Sequence, residues 1–349
     1  MEVERGAWCR QPGVSGRSAV ASLGLGGEGM KIVQEPEIRA AVGPALALAA
    51  AERAFRALAE GQVVQPAPFG LEIAEVHGEA HVKGAYLLGS PIFALKVATG
   101  FYDNPTRNLP TGAGLFLVFD ATTGFPLALL RDNAYLTDLR TGAAGALAAR
   151  HLSRDRLRKV AILGSGVQAR HQVRCLALVR SWEATAAWSP APEHLEAYCR
   201  EMTAELGVPF QPTRTPEEAV RGADLVVTAT PSRRPIVQAG WLAAHATVIA
   251  VGSDGPAKQE LAAECLARAD KVIADRLSQC VELGEIHHAV RHGLLDPGRV
   301  YAELGDIVAG KRPGREGDEM IICDLTGVGA QDAAIAEVAW RALVTAAAD

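Results

Sequence analysis

Two constellations carry the chemistry this sequence could perform. The first is Gly164-Ser165-Gly166-Val167-Gln168-Ala169, set between the apolar run KVAIL and a helix-like stretch. Gly164 and Gly166 allow a tight turn and close approach of a pyrophosphate, which would rest on the positive helix N-terminus, while the small Ala169 packs helix on strand. A ligand-free tight turn is the alternative, and the strand signals downstream favour a dinucleotide. About 20 residues on, a carboxylate would hold the 2′-hydroxyl of NAD. Here the second strand ends Trp188-Ser189-Pro190. Ser189 tolerates a 2′-phosphate, but no arginine stands beside it and the distance of Arg214 is left open, so the balance between NAD and NADP tilts only slightly to NADP.

The second constellation is Lys96 in FALKVATGFYDNP, Arg140 in LTDLRTGAAG and Asp254 in VIAVGSDGPAKQEL. A pair of cations can hold a substrate carboxylate, and a carboxylate beside a nicotinamide can move the proton that accompanies a hydride. On spacing alone, each of the three is more often an ordinary surface ion pair, and the motif context has to carry the functional reading.

The elements around these residues change character along the chain. MKIVQ is strand-like and leads into an Ala-rich amphipathic helix that Gly61 stops. A β-rich stretch follows to about Val118, and LFLVFDATTGFPLALL reads as a hairpin about Thr-Thr-Gly. DNAYLTDLRTGAAGALAAR predicts a helix whose small residues permit close packing. After Leu152, KVAILG, EATAAWS, ADLVVTAT, ATVIAVGS and KVIADR alternate with helical segments, which implies parallel βαβ units in a doubly wound α/β sheet. MIICDLTGVGAQDAAIAEVAWRAL closes the chain with a strand, a glycine loop and a helix.

Composition bounds the partners. With 349 residues, 21% charged and 49% hydrophobic, the chain is globular and long enough for about two domains. A net charge of −5 lacks the positive field that draws a phosphate backbone, so nucleic acid is not expected. The six cysteines are dispersed without a C-x-x-C pair, which favours the cytoplasm. The longest apolar run, Ala40 to Ala51, is shorter than the roughly 20 residues a membrane span needs. Residues 1–29 lack a periodic apolar face and read as a disordered, dispensable extension.

Taken in order, Lys96 with its DNP, LPTGAG, LTDLRTGAA, GSGVQA, VTATPS, VGSDGPAK and DLTGVGAQD resemble the ornithine cyclodeaminase and mu-crystallin family, from about Met30 to the C-terminus. HVKGAY, DNAYLTDLRTGAAGALAARHL and ELGDIVAGKRPGR are most similar to its ectoine-utilisation branch. The resemblance implies a homodimer with a Rossmann domain, residues 151–325, inserted in a dimerisation and substrate domain made of 30–150 and 326–349. It implies Lys96 and Arg140 on the substrate carboxylate, Asp254 as acid/base and Thr326 near the substrate. Thr111, Val167, Gln168, Ser189, Thr230, Val251, Lys258 and Leu325 would lie along the cofactor. It further implies a nicotinamide-dependent enzyme on an α-amino or α-imino acid. That enzyme could be a cyclodeaminase, which returns the hydride after ammonia is lost, or an imine reductase or amino acid dehydrogenase with net transfer. Some relatives are non-catalytic binders, against which the retention of Asp254 argues.

One departure concerns the substrate. Where the family carries a clamping arginine, this chain reads Val64-Gln65-Pro66-Ala67-Pro68-Phe69, which puts ornithine in question. Lys83 could supply the missing cation, or be an ordinary strand lysine. His288 and His292 have a metal-chelating spacing but no third ligand, so no metal is expected, and Cys280 reads as a buried thiol.

Overall fold

The computed structural model describes residues 30–345; the extension expected over 1–29 lies outside the described residues. The chain opens with β1 (Lys31–Gln34) and α1 (Glu35–Ala41), whose first turn is closed by Gln34 N–H donating to Glu37 Oε2 at 3.0 Å. The single Ala-rich helix expected from the sequence is two. Val42 is extended, Gly43 caps, and Pro44 begins α2 (Pro44–Ala59). Proline lacks the N–H that would continue α1 and disfavours helical geometry in the residue before it, yet suits a first helical turn.

The next six strands build one sheet with β1: β2 (Val63–Val64), β3 (Phe69–Ile73), β4 (Gly78–Leu87), β5 (Ile92–Phe101), β6 (Gly112–Asp120) and β7 (Pro126–Arg131) make up the rest of its seven strands. Its order is β1-β7-β6-β5-β4-β2 with β3 also on β4, antiparallel except where β1 runs parallel to β7. The expected hairpin joins β6 to β7, and Asp120 Oδ1 fixes it by accepting from Thr122 N–H and Thr123 N–H at 2.8 and 2.7 Å. Helix α3 (Tyr135–Leu152) is buried along most of its length. Its small residues are needed there: a Cβ on Gly142 would lie 2.6 Å from the His171 carbonyl oxygen.

From β8 (Arg156–Leu163) the chain alternates strand and helix: α4 (Val167–Leu176), β9 (Ser181–Trp188), α5 (Pro192–Leu206), β10 (Phe210–Pro212), α6 (Pro216–Val220) and β11 (Leu225–Thr228). There follow β12 (Arg233–Val237), β13 (Thr247–Ala250), β14 (Gln259–Leu261), α7 (Ala263–Arg268), β15 (Lys271–Ala274), α8 (Leu277–Cys280) and α9 (Gly284–Arg291). The series ends with β16 (Ala302–Glu303), α10 (Leu304–Val308), β17 (Ile321–Asp324) and α11 (Gly329–Thr345). Eight strands form a parallel sheet in the order β10-β9-β8-β11-β13-β17-β15-β16, while β12 and β14 pair separately. Strands buried on both faces need continuous apolar runs, and β11, β13, β15 and β17 are buried at every residue.

One apolar core fills the space between the first sheet, α2, α3, α11 and one face of the parallel sheet; a second covers the opposite face. Among the described residues no helix is long and apolar enough to cross a membrane.

Candidate active site

Lys83 and Lys96 are direct partners across the β4–β5 ladder. Like charges so placed weaken a sheet unless something offsets them. The offset comes from Asp332, 1% exposed in the first turn of α11, which accepts from Lys96 Nζ at 3.0 Å. Arg140, reaching from α3, sets its Nε 3.0 Å from the same carboxylate, as an ion pair rather than an aligned hydrogen bond. Burial works to raise the Asp332 carboxyl, and Arg140, Lys96 and Lys83 overcome it and hold it below its ordinary range. Burial also drives the Lys96 ammonium down to about 7 in spite of Asp332. Lys83 is lowered too, by burial and then by Arg140, and donates to the Gly327 carbonyl at 2.9 Å.

These cations face a cavity of about 650 Å³ whose lining includes Gln65, Lys83, Lys96, Arg140, Asp254 and Thr326. The Gln65–Pro68 stretch, where the resemblance implied an arginine, lines the same cavity as Lys83. The crossover from β17 to α11 passes beside it. Gly327 adopts φ +80° there, and a Cβ would come within 2.6 Å of the Arg140 guanidinium. Asp275 pins this turn, accepting from Thr326 Oγ1 at 3.0 Å and from Gly327 N–H at 2.6 Å.

Asp254 enters from the opposite side, on the loop after β13. Its carboxylate is half exposed and pairs with Lys258 Nζ at 2.7 Å. Lys258 also reaches Glu79 on β4 at 3.5 Å, an ion pair between the two sheets. His81 foremost, with Tyr102 and Lys258, holds the Glu79 carboxyl at about 2 against the opposing effect of burial.

The second wall is built from backbone. Gly164 has φ +123°, and a Cβ there would meet the Ala229 carbonyl oxygen at 2.6 Å. Gly166 caps α4 with no side-chain cap and with open space about its Cα. The first-turn N–H groups of Val167, Gln168 and Ala169 are thus left to an anion. Val167 is 58% exposed while Ala169 is fully buried against the sheet. Ser165 Oγ donates to Ser189 Oγ at 2.9 Å, tying the glycine turn to the end of β9. Val251 N–H donates to the Thr228 carbonyl at 3.0 Å and Leu325 N–H to the Ala250 carbonyl at 2.9 Å, placing both on the carboxyl edge of the sheet. This turn, uncapped helix and crevice fit a dinucleotide.

Thr111, on the β5–β6 connection, accepts from Phe101 N–H and is not in the cavity lining. Thr230 is occupied by Glu260, to which its N–H and Oγ1 donate at 2.6 and 2.7 Å. Glu260 also accepts from Thr228 Oγ1 and Gly252 N–H, joining the ends of β11 and β13, and burial raises its carboxyl to about 7. Sequence reasoning singled out neither Glu260 nor Asp332, nor Asp138, whose Oδ1 lies 3.4 Å from Gln168 Nε2 and whose carboxyl burial lifts to about 6. Asp332 stood within the quoted DLTGVGAQD and Asp138 within LTDLRTGAA, acidic residues at the starts of otherwise apolar helices; that was the available signal.

His288 Nε2 lies 2.7 Å from the Lys258 carbonyl and His292 is exposed; among the described residues no group of three or more His, Cys, Asp or Glu is arranged to hold a metal ion. Burial raises the Cys280 thiol well above its ordinary value, and its Sγ donates to Asp275 at 3.2 Å.

Residues 30–345 match the model of the ornithine cyclodeaminase/mu-crystallin family. An uncharacterized cyclodeaminase of Sinorhizobium fredii is 43% identical over 315 residues, 89% of this chain and 95% of that one. Among solved structures, the Δ1-pyrroline-2-carboxylate reductase of Thermococcus litoralis, in complex with NADH and L-proline, superposes with a TM-score of 0.87 at 28% identity, covering 91% of this chain and 98% of its own. An archaeal alanine dehydrogenase dimer with bound NAD gives 0.85 at 33% identity, covering 91% and 97%. The chain belongs to the ornithine cyclodeaminase/mu-crystallin family.

Proposed function

We propose that this protein moves a hydride between a nicotinamide dinucleotide and Cα of an α-amino or α-imino acid. The observation that carries the reading is the buried Lys96–Asp332–Arg140 cluster opening on the same cavity as Asp254, at the carboxyl edge of the parallel sheet. In this reading the two cations take the substrate carboxylate, with Asp332 keeping them aligned and limiting their mutual repulsion. Lys83 supplies a third donor where the family's arginine is absent. The bound dinucleotide supplies the hydride acceptor or donor. Asp254 receives the proton from the substrate nitrogen as the imine forms, and returns it in the reverse direction.

Net transfer, as in an amino acid dehydrogenase or imine reductase, is favoured by the likeness to a reductase and a dehydrogenase among solved structures. The cyclodeaminase form, in which the side-chain amine attacks the imine, ammonia departs and the hydride returns, uses the same residues. Cofactor fluorescence during addition of alanine, proline, diamino acids and cyclic imines tests the reading. Net oxidation or reduction marks the first form, and product without net change marks the second. Cofactor binding with neither would leave a ligand-binding protein and overturn the enzymatic reading.

The finer assignments are proposals of the same kind. HVKGAY and ELGDIVAGKRPGR support the ectoine-utilisation branch. The alanine dehydrogenase dimer supports a homodimer. Among the described residues, five buried and unpaired cysteines support the cytoplasm.

A further inference from the structure

The question left open by the sequence, how far Arg214 stands from the end of the second parallel strand, has a structural answer. Strand β10 runs parallel to β9 with Pro212 opposite Ala187, and Thr213 N–H donates to the Ala187 carbonyl at 2.8 Å. Two residues further along each strand, Arg214 and Ser189 therefore stand at the same height. Both line one cavity of about 580 Å³ together with Trp188, Pro190 and Thr213.

The charges around it suit an anion. Arg214 is exposed, and its backbone N–H, not its guanidinium, is the group that Glu218 accepts, at 2.9 Å. Ser189 Oγ accepts from Ser165, which leaves the Ser189 hydroxyl hydrogen free to donate into the cavity. One carboxylate lines the space, Glu196, and it lies 3.7 Å from Arg200 as an ion pair. At the strand end itself, where an Asp or Glu would accept from a ribose 2′-hydroxyl, there is a serine.

We propose that Ser189 and Arg214 form a 2′-phosphate site, so that the chain takes the phosphorylated dinucleotide, NADP, in preference to NAD. The inference rests on the dinucleotide reading of the parallel sheet. It sets this chain apart from the two solved neighbours, which carry NADH and NAD. A guanidinium and a hydroxyl donating to a phosphate dianion make charge-assisted hydrogen bonds that NAD, with a neutral hydroxyl in that place, cannot match.

Fluorescence titration of the full chain with NADPH and NADH, and calorimetry with adenosine 2′,5′-bisphosphate against AMP, test this without any substrate. NADPH is expected to bind at least about tenfold more tightly than NADH, and the bisphosphate more tightly than AMP. Arg214→Gln, at an exposed position, should weaken NADPH by about ten- to a hundredfold and leave NADH within twofold. Ser189→Asp should reverse the preference. Equal or tighter NADH binding in the wild type, or equal weakening of both cofactors in Arg214→Gln, overturns the inference and leaves the dinucleotide reading standing. Failure of both cofactors to bind overturns the two together.

Discussion

The two walls of the cleft are held by different means. On the wall proposed to take substrate, between the antiparallel sheet, α3 and α11, three cations are arranged around one buried carboxylate, and every member is a long or charged side chain. On the cofactor side, at the edge of the parallel sheet, the work falls to backbone: a left-handed glycine, an uncapped helix end and loop N–H groups tethered by Glu260. The first wall depends on which side chains are present, the second on where a Cβ is absent. A mutation that spares one should damage the other.

The sharpest separation is expected at Asp254. Asp254→Asn keeps the shape and loses the titratable group, so turnover should fall by about 10²–10⁴ while the cofactor dissociation constant, read by fluorescence, stays within about threefold. Normal turnover would make Asp254 a structural loop residue. Next comes Asp332→Asn, which leaves Lys96, Arg140 and Lys83 facing one another with their common partner neutralised. Breaking a buried charge network in this way costs about 3–5 kcal/mol, so denaturant unfolding should show a loss of that order. Unchanged stability would mean that the cations are solvated.

On the backbone wall, Gly164→Ala forces a Cβ against the Ala229 carbonyl at a φ that L-residues rarely adopt. About 1–3 kcal/mol should be lost from cofactor affinity or stability. Val167→Ala, by contrast, trims an exposed side chain from the same turn and should change cofactor affinity by less than about 1 kcal/mol. Equal effects of the two substitutions would break the contrast. Lys83→Met should weaken an imino acid by about 1.5–3 kcal/mol and the cofactor hardly at all, with coupling to Lys96→Met if both hold one carboxylate.

A further expected effect is one of pH. Lys96 is brought down to about 7, so above that value the empty site is increasingly an amine and binding a carboxylate must take up a proton. Affinity for an amino acid carboxylate with cofactor present should therefore fall as pH rises from 7 to 9, by up to about tenfold per unit. Calorimetry in two buffers of different ionisation enthalpy should show the proton taken up.

The regularities that announced this fold were local. Alternating apolar strands and helices gave the α/β class because strands buried on two faces must be apolar throughout, and the glycine turn gave the dinucleotide crevice because so few residues can replace glycine at positive φ. The single helix expected before Gly61 failed at Gly43-Pro44, where local breakers were overlooked within a strong alanine signal. β12 and β14 escaped notice because they are short, with a register shift between Arg233 and Val237. The buried carboxylates were illegible for a different reason. Asp332 meets Lys96 across 236 residues of chain, and Glu260 meets Thr228 across 32, so nothing in the neighbouring sequence signals a partner.

The turn at Thr326-Gly327 has a mechanical consequence. It is the covalent return from the parallel sheet to α11, and the same few atoms accept from Lys83 and Gln279, donate to Asp275 and leave no room for a Cβ beside the Arg140 guanidinium. A hinge there cannot flex in isolation. Any rotation of one sheet against the other that is absorbed at this crossover would also pull on Lys83 and Gln279, which donate to its carbonyl. A displacement of this one peptide is therefore felt at Lys83, Gln279 and Asp275 together.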